Sequence, residues 1–141
     1  QIAEKEGTPI TLDLVDRALD EIERDKYVAM VKSSPKQLQA ALYSIIASYQ
    51  HSSKPLYTGD AYGAYRSFCS RTKLRALTQR AFSDMVSELD MYGFIQAKVF
   101  SHGRYGRTKE IGVNLPADIS DKLKQVVLME FDLETVYPRP L

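Results

Sequence analysis

At 141 residues and a formal net charge of +1, the chain has the length of one ordinary domain, or of one domain carrying a piece of another. Such a length buries roughly two-thirds of the unfolded surface, so neither metal nor disulfide is needed for stability; the single Cys69 excludes an internal disulfide and suits a reducing compartment. No apolar run approaches the ~20 residues of a membrane span and no basic-then-apolar signal opens the sequence, while the start at Gln1 leads to the expectation of a piece of something longer.

Residues 1–7 are polar and expected to fray. Thr11 then caps a helix with Leu12, Val15, Ala18, Leu19 and Ile22 on one face. The polar patch Glu23-Arg24-Asp25-Lys26 interrupts that stripe before Tyr27, Val28, Met30 and Val31 resume it, which leaves one long helix or two open. The acidic, exposed character of this part assigns it to a neighbouring domain or to a connection with one. Ser34, Pro35 and Gln37 spell a helix start, with Ser34 as N-cap, Pro35 in the first helical position and Gln37 closing a capping box. Leu38, Ala41, Leu42, Ile45, Ile46 and Tyr49 follow as a wide apolar stripe, and residues 50–55 form a loop. Thr58 is the expected cap of the next helix, whose Ala61, Tyr62, Tyr65, Phe68 and Cys69 recur at helical spacing. That period makes the aromatic stripe core packing rather than a base-stacking platform.

Residues 71–77 read as the turn of a helix-turn-helix pair. Thr78 caps the next helix and Gly93 ends it. Ala81, Met85, Val86 and Leu89, with Phe82 beside them, form its buried stripe, leaving Gln79, Arg80, Ser83, Asp84 and Ser87 outward. Hydrogen-bonding side chains at the front of such a helix suit base edges: Arg80 guanine, Gln79 adenine, Ser83 a phosphate or base edge, with the N-terminal N–H groups adding a phosphate site. Asp84 departs from the pattern and has either Arg80, four residues back, or a cytosine amino group as partner.

Ile95, Ala97 and Val99, then Ile111, Val113 and Leu115, alternate with polar residues as the two strands of one hairpin. Its tip, His102-Gly103-Arg104-Tyr105-Gly106-Arg107-Thr108-Lys109, has glycines for tight backbone approach, three cations and one flat ring. An ordinary turn requires no such charge. Pro116 breaks the strand, Ile119, Leu123, Val126 and Val127 mark a last helix, and residues 131–141 form a tail.

Charge follows the same organisation. Residues 66–109 hold nine basic residues, Arg71, Lys73 and Arg75 among them, against three acidic ones, whereas residues 4–32 and 110–141 each carry a net −3. A cationic centre coinciding with one helix and one hairpin tip is a face for phosphates. Helix, strand, basic loop, strand is the order of a winged helix-turn-helix, a mostly α fold with a small antiparallel β-hairpin. His51 and His102 are solitary and Cys69 lacks a partner motif, so catalysis and metal binding are not expected; His102 suits a phosphate. Two rival readings remain. A winged helix used for protein assembly predicts little DNA affinity even in dilute salt, and a transcription regulator predicts a dimer on a palindromic site.

The run 77–95 with the tip Gly103-Arg104-Tyr105-Gly106-Arg107-Thr108-Lys109-Glu110-Ile111 resembles the C-terminal winged-helix domain of archaeal origin-recognition/cell-division-control replication initiators. Residues 10–25 resemble the last helix of that family's ATPase lid domain. The resemblance implies residues 1–32 as the end of the lid or a connecting helix, 33–130 as a DNA-binding domain and 131–141 as a tail. It also implies binding to double-stranded DNA at replication origins in a cytoplasmic, nucleoid-associated protein, with other initiator copies and the replicative helicase as further partners and no membrane. ATP or ADP with Mg is implied upstream. No Gly-rich phosphate loop with Lys-Ser/Thr and no strand ending in paired acids is present, so no cofactor and no ATPase activity are expected of this stretch itself.

Overall fold

Local capping and tertiary hydrogen bonds divide the work of defining the elements. The computed structural model describes residues 11–101 and 107–131, and the tip residues His102, Gly103, Arg104, Tyr105 and Gly106 and the tail lie outside them, as does residues 1–10. The described elements are α1 (Leu12–Lys32), α2 (Lys36–His51), β1 (Leu56–Tyr57), α3 (Thr58–Thr72), α4 (Gln79–Met91), β2 (Gln96–Ser101), β3 (Arg107–Gly112) and α5 (Ala117–Glu130).

α1 is one continuous helix, so the polar patch at 23–26 marks a change of face and not a break. Thr11 caps it, accepting from the Leu14 amide at 3.3 Å. Its far end is closed by tertiary means. Gln39, buried on α2, donates through Nε2 to the carbonyls of Val31 (2.7 Å) and Ser34 (3.2 Å), and Ser33 and Ser34 both donate to Met30 O. Ser34 is therefore spent on α1 and does not cap α2, whose N-cap is Pro35 without a side-chain bond. Gln37 closes no capping box either, because both ends of its amide face α3 and the turn that follows it. Thr58 likewise is the first residue of α3 and not its cap; its hydroxyl donates to Lys109 O at 3.2 Å and ties α3 to β3.

α4 ends as its sequence implies. Gly93 takes φ +87, its amide donates to Asp90 O and that of Phe94 to Leu89 O, the paired bonds of a Schellman motif. Leu89 and Phe94 are both buried beneath it. α3 ends with Lys73 at φ 60, a left-handed position held by a non-glycine residue.

The sheet has three strands in the order β1-β3-β2, all antiparallel. The sequence reading holds only the hairpin; β1 has two residues, too few for any alternation to register. Pairing of Leu56 with Ile111 and Tyr57 with Glu110 makes β3 the central strand. Arg71 and Thr72, expected in the turn, complete the last turn of α3. The core lies among α2, α3, α4, α5 and the inner face of the sheet, with Ile45, Ile46, Tyr65, Phe82, Val86, Leu89, Ile111 and Leu123 buried. Within α4, Phe82 occupies the centre of the buried stripe and Ala81 only its margin. Two expected core positions are exposed, Tyr49 at 42% and Val99 at 54%, and the first half of α1 is exposed as its acidic character implies, with Leu12 at 81% and Ile22 at 64%. α1 instead packs through its second half, with Val31 buried, Tyr27 against Phe94, and Arg24 paired to Asp118 of α5 at 2.9 Å.

Candidate nucleic-acid interface

The front of α4 is set by Thr78, whose hydroxyl accepts from the Ala81 amide at 3.1 Å. Phe82, Met85, Val86 and Leu89 anchor the inner face, so the 3.6-residue period turns Gln79, Arg80, Asp84 and Ser87 to solvent and leaves Ser83 at the boundary. No ion pair joins Arg80 to Asp84 or to any other described residue.

Antiparallel pairing then brings the root of the hairpin against this helix. Val99 and Lys109 are directly opposite in the β2–β3 register. The Lys109 ammonium donates to Ser83 O at 3.4 Å and to Ser87 Oγ, and Ser87 in turn donates to Ser83 O at 3.4 Å. Gln79, Arg80, Ser83, Val99, Thr108 and Lys109, with Thr58 and Gly59 from α3, surround an open groove of ≈ 430 Å³. Among the described residues that line it, two are cationic and none is acidic. Exposure of Val99 is thereby explained: it borders the groove and not the core.

The sequence-derived site residues thus divide. Thr78, Gln79, Arg80, Ser83, Thr108 and Lys109 come together at or beside the groove. Ser87 and Lys109 serve each other, so Lys109 acts as a tie between hairpin and helix. Arg71, Lys73 and Arg75 are exposed on the end of α3 and the turn after it. Lys98, one of the nine basic residues of the centre but not an expected site residue, lies elsewhere: the register puts it opposite Glu110, where the two line a separate hollow of ≈ 160 Å³ with Gln96 and Gly112. The Arg107 backbone pairs with Ser101 at the start of β3, and the tip residues 102–106 lie beyond the described part. Thr58, Gly59 and Val99 were not legible as site residues, because their place depends on partners outside any local window, as in the bond from Thr58 to Lys109, 51 positions on. Among the described residues no cluster of His, Cys, Asp or Glu could hold a metal ion, and no helix is long and apolar enough to cross a membrane.

The fold has counterparts among known proteins. A family model described as the CDC6 C-terminal winged helix domain matches residues 29–122. An ORC1-type DNA replication protein of Pyrococcus furiosus is 41% identical over 135 residues, covering 95% of this chain and 31% of its own length. One from Halobacterium salinarum is 36% identical over 139 residues, 98% of this chain and 27% of its own. The chain thus spans about a third of the curated relatives it matches. Among solved structures, the Orc1 protein of Aeropyrum pernix in complex with DNA superposes with a TM-score of 0.76 at 30% identity, covering 92% of this chain and 33% of that one. Cdc6p of Pyrobaculum aerophilum, at 19% identity and a TM-score of 0.58, shares the fold; the match covers 77% of this chain and 26% of that one. With the helix-turn-helix, the wing strands and the family match over the same residues, the chain belongs to the CDC6 C-terminal winged-helix domain family.

Proposed function

We propose that this chain binds double-stranded DNA at replication origins as the DNA-binding end of a replication initiator. α4 enters the major groove with Gln79 and Arg80 at base edges, Ser83 reaches a base edge or phosphate, and the exposed Arg71, Lys73 and Arg75 meet the backbone. The wing tip, with His102, Arg104, Tyr105 and Arg107, lies along the adjacent minor groove or backbone. The observation that carries this reading is the groove itself, in which the polar front of α4 and the root of the basic hairpin share one face, tied by Lys109. The DNA-bound relative from Aeropyrum supports it.

In this reading ATP and Mg, other initiator copies and the helicase are the business of the remaining two-thirds of the longer protein, and this stretch hydrolyses nothing. Exposed Leu12, Leu19 and Ile22 favour a protein contact as a second role for α1, against a neighbouring domain of that longer protein. Footprinting on origin and random duplexes across a salt series is the test. Protection of origin DNA that persists at salt concentrations where random duplex is released is the expected result. Absence of protection in dilute salt removes DNA binding, and equal protection of both duplexes removes origin selectivity.

A further inference from the structure

The turn between α3 and α4 has no regular structure of its own, yet it decides where α4 begins. Four of its backbone groups have partners from elsewhere. The Leu74 amide donates to Cys69 O at 2.9 Å, which closes α3. The other three go to side chains. Gln37 Nε2 donates to Arg75 O at 2.7 Å, the Leu77 amide donates to the Tyr65 hydroxyl at 2.9 Å, and the Tyr62 hydroxyl donates to Leu77 O at 2.9 Å. The set is closed on itself, since the Tyr65 hydroxyl donates in turn to Gln37 Oε1. Gln37 therefore spends both ends of its amide here, and Tyr65 spends its proton and a lone pair.

These tyrosines hold α4 at two points. Their rings pack on Phe82, at 5.6 Å for Tyr62 and 5.1 Å for Tyr65, which sets the rotation of α4 about its axis. Their hydroxyls hold Leu77, one residue before the N-cap Thr78, which sets how far forward the helix starts. Packing alone needs only a phenylalanine at either position. Tyr65 is fully buried, so its hydroxyl has no water to turn to if Leu77 moves.

We infer that Gln37, Tyr62 and Tyr65 are positioning residues for DNA recognition, a clamp that fixes the reach of Arg75 and the presentation of Gln79 and Arg80 without touching DNA. This rests on the proposed DNA-binding function. A bidentate contact from Arg80 or Gln79 to a base edge tolerates little displacement, whereas a phosphate contact from a long cationic side chain tolerates more. Loosening the clamp therefore lowers affinity for the preferred duplex more than for a random one.

The test uses the 141-residue chain with Tyr65→Phe, Tyr62→Phe and Gln37→Leu, each held at a temperature where circular dichroism shows it folded. Amide exchange at Leu77 and affinities for an origin and a random duplex are measured on each. Expected is a rise of about tenfold or more in Leu77 exchange for Tyr65→Phe, with buried α2 amides unchanged. Expected for all three is a drop of about tenfold in the ratio of origin to random affinity, the size of one lost base contact, at an unchanged salt slope. Equal loss on both duplexes, or no loss, overturns the clamp as a positioning device, as does an unchanged Leu77 amide in Tyr65→Phe. If the unsubstituted chain binds no duplex in dilute salt, the proposed function fails instead, and with it the role assigned to the clamp; Leu77 exchange then reports only whether the hydrogen bonds exist.

Discussion

Arg75 and Arg80 lie five residues apart, both exposed and neither in an ion pair with another described residue, yet they are predicted to fail differently. Arg75 stands on the turn, its carbonyl fixed by Gln37, and is not among the residues that line the groove. In the proposed function it meets phosphate. Removing one phosphate contact reduces the log–log salt slope by about 0.9, so between about 50 and about 200 mM salt Arg75→Ala loses about 3.5-fold less affinity than the parent. The loss at low salt falls equally on every sequence. Arg80 lines the groove with Gln79 and Ser83, and in the proposed function it meets a base edge. Arg80→Ala costs about 1–3 kcal/mol on the preferred duplex, about 5- to 150-fold, with a smaller cost on random DNA. Fluorescence anisotropy on both duplexes at four or more salt concentrations separates the two behaviours. Should Arg80→Ala flatten the slope and weaken both duplexes alike, α4 touches only the backbone and the reasoning from groove geometry is wrong. Should neither variant change binding, this face does not meet DNA.

Backbone conformation supplies a pair of stability predictions of opposite sign. Gly93→Ala meets only ordinary contact, with the Tyr27 hydroxyl 3.7 Å from the new Cβ, but φ +87 is strained for alanine. It lowers the melting temperature by about 3–8 °C. Lys73→Gly relieves the left-handed φ of 60 and raises it by about 2–4 °C, as scanning calorimetry would register. The Tyr65 hydroxyl is pushed up to about 12 by burial, partly opposed by the bond from the Leu77 amide. The unfolded chain ionises near 10 and the folded one later, so this contribution to stability is complete below pH 10 and is lost as pH rises through 12. The decline is up to about 1.4 kcal/mol per pH unit within that window, and denaturant melts of Tyr65→Phe should lack it. Burial also pushes the Cys69 thiol up, and the residue is 1% exposed, so a thiol reagent should label it at the rate of unfolding only; rapid labelling of the native protein contradicts its place in the core.

Local chemistry was legible to the extent that it is local. Thr11 and Thr78 cap as read, since a cap needs only a hydroxyl and an amide three residues on. Gly93 closes α4 for the same reason, and the apolar period of α2, α3 and α5 names most of the buried face of each. The cationic centre and the winged order of elements were also readable, because composition and alternation are properties of the chain alone. Ser34 and Thr58 show where this stops. Both carry cap chemistry, yet Ser34 donates to Met30 O at the end of the preceding helix and Thr58 to Lys109 O, 51 positions on.

What the amino-acid order determined by itself is which residues are apolar, charged or conformationally special, and in what period, and this suffices for the helices, the hairpin and the polar front of α4. Only the tertiary structure decided that β1 joins the sheet, that Lys98 and Lys109 point to different surfaces, that Lys109 binds α4, and that Gln37 and Tyr65 hold the turn. The physical reason is distance along the chain. A hydrogen bond between residues 38 positions apart, as from Gln37 to Arg75, has no signature in any window of sequence; it exists because packing of Phe82 against two tyrosines brings the ends together.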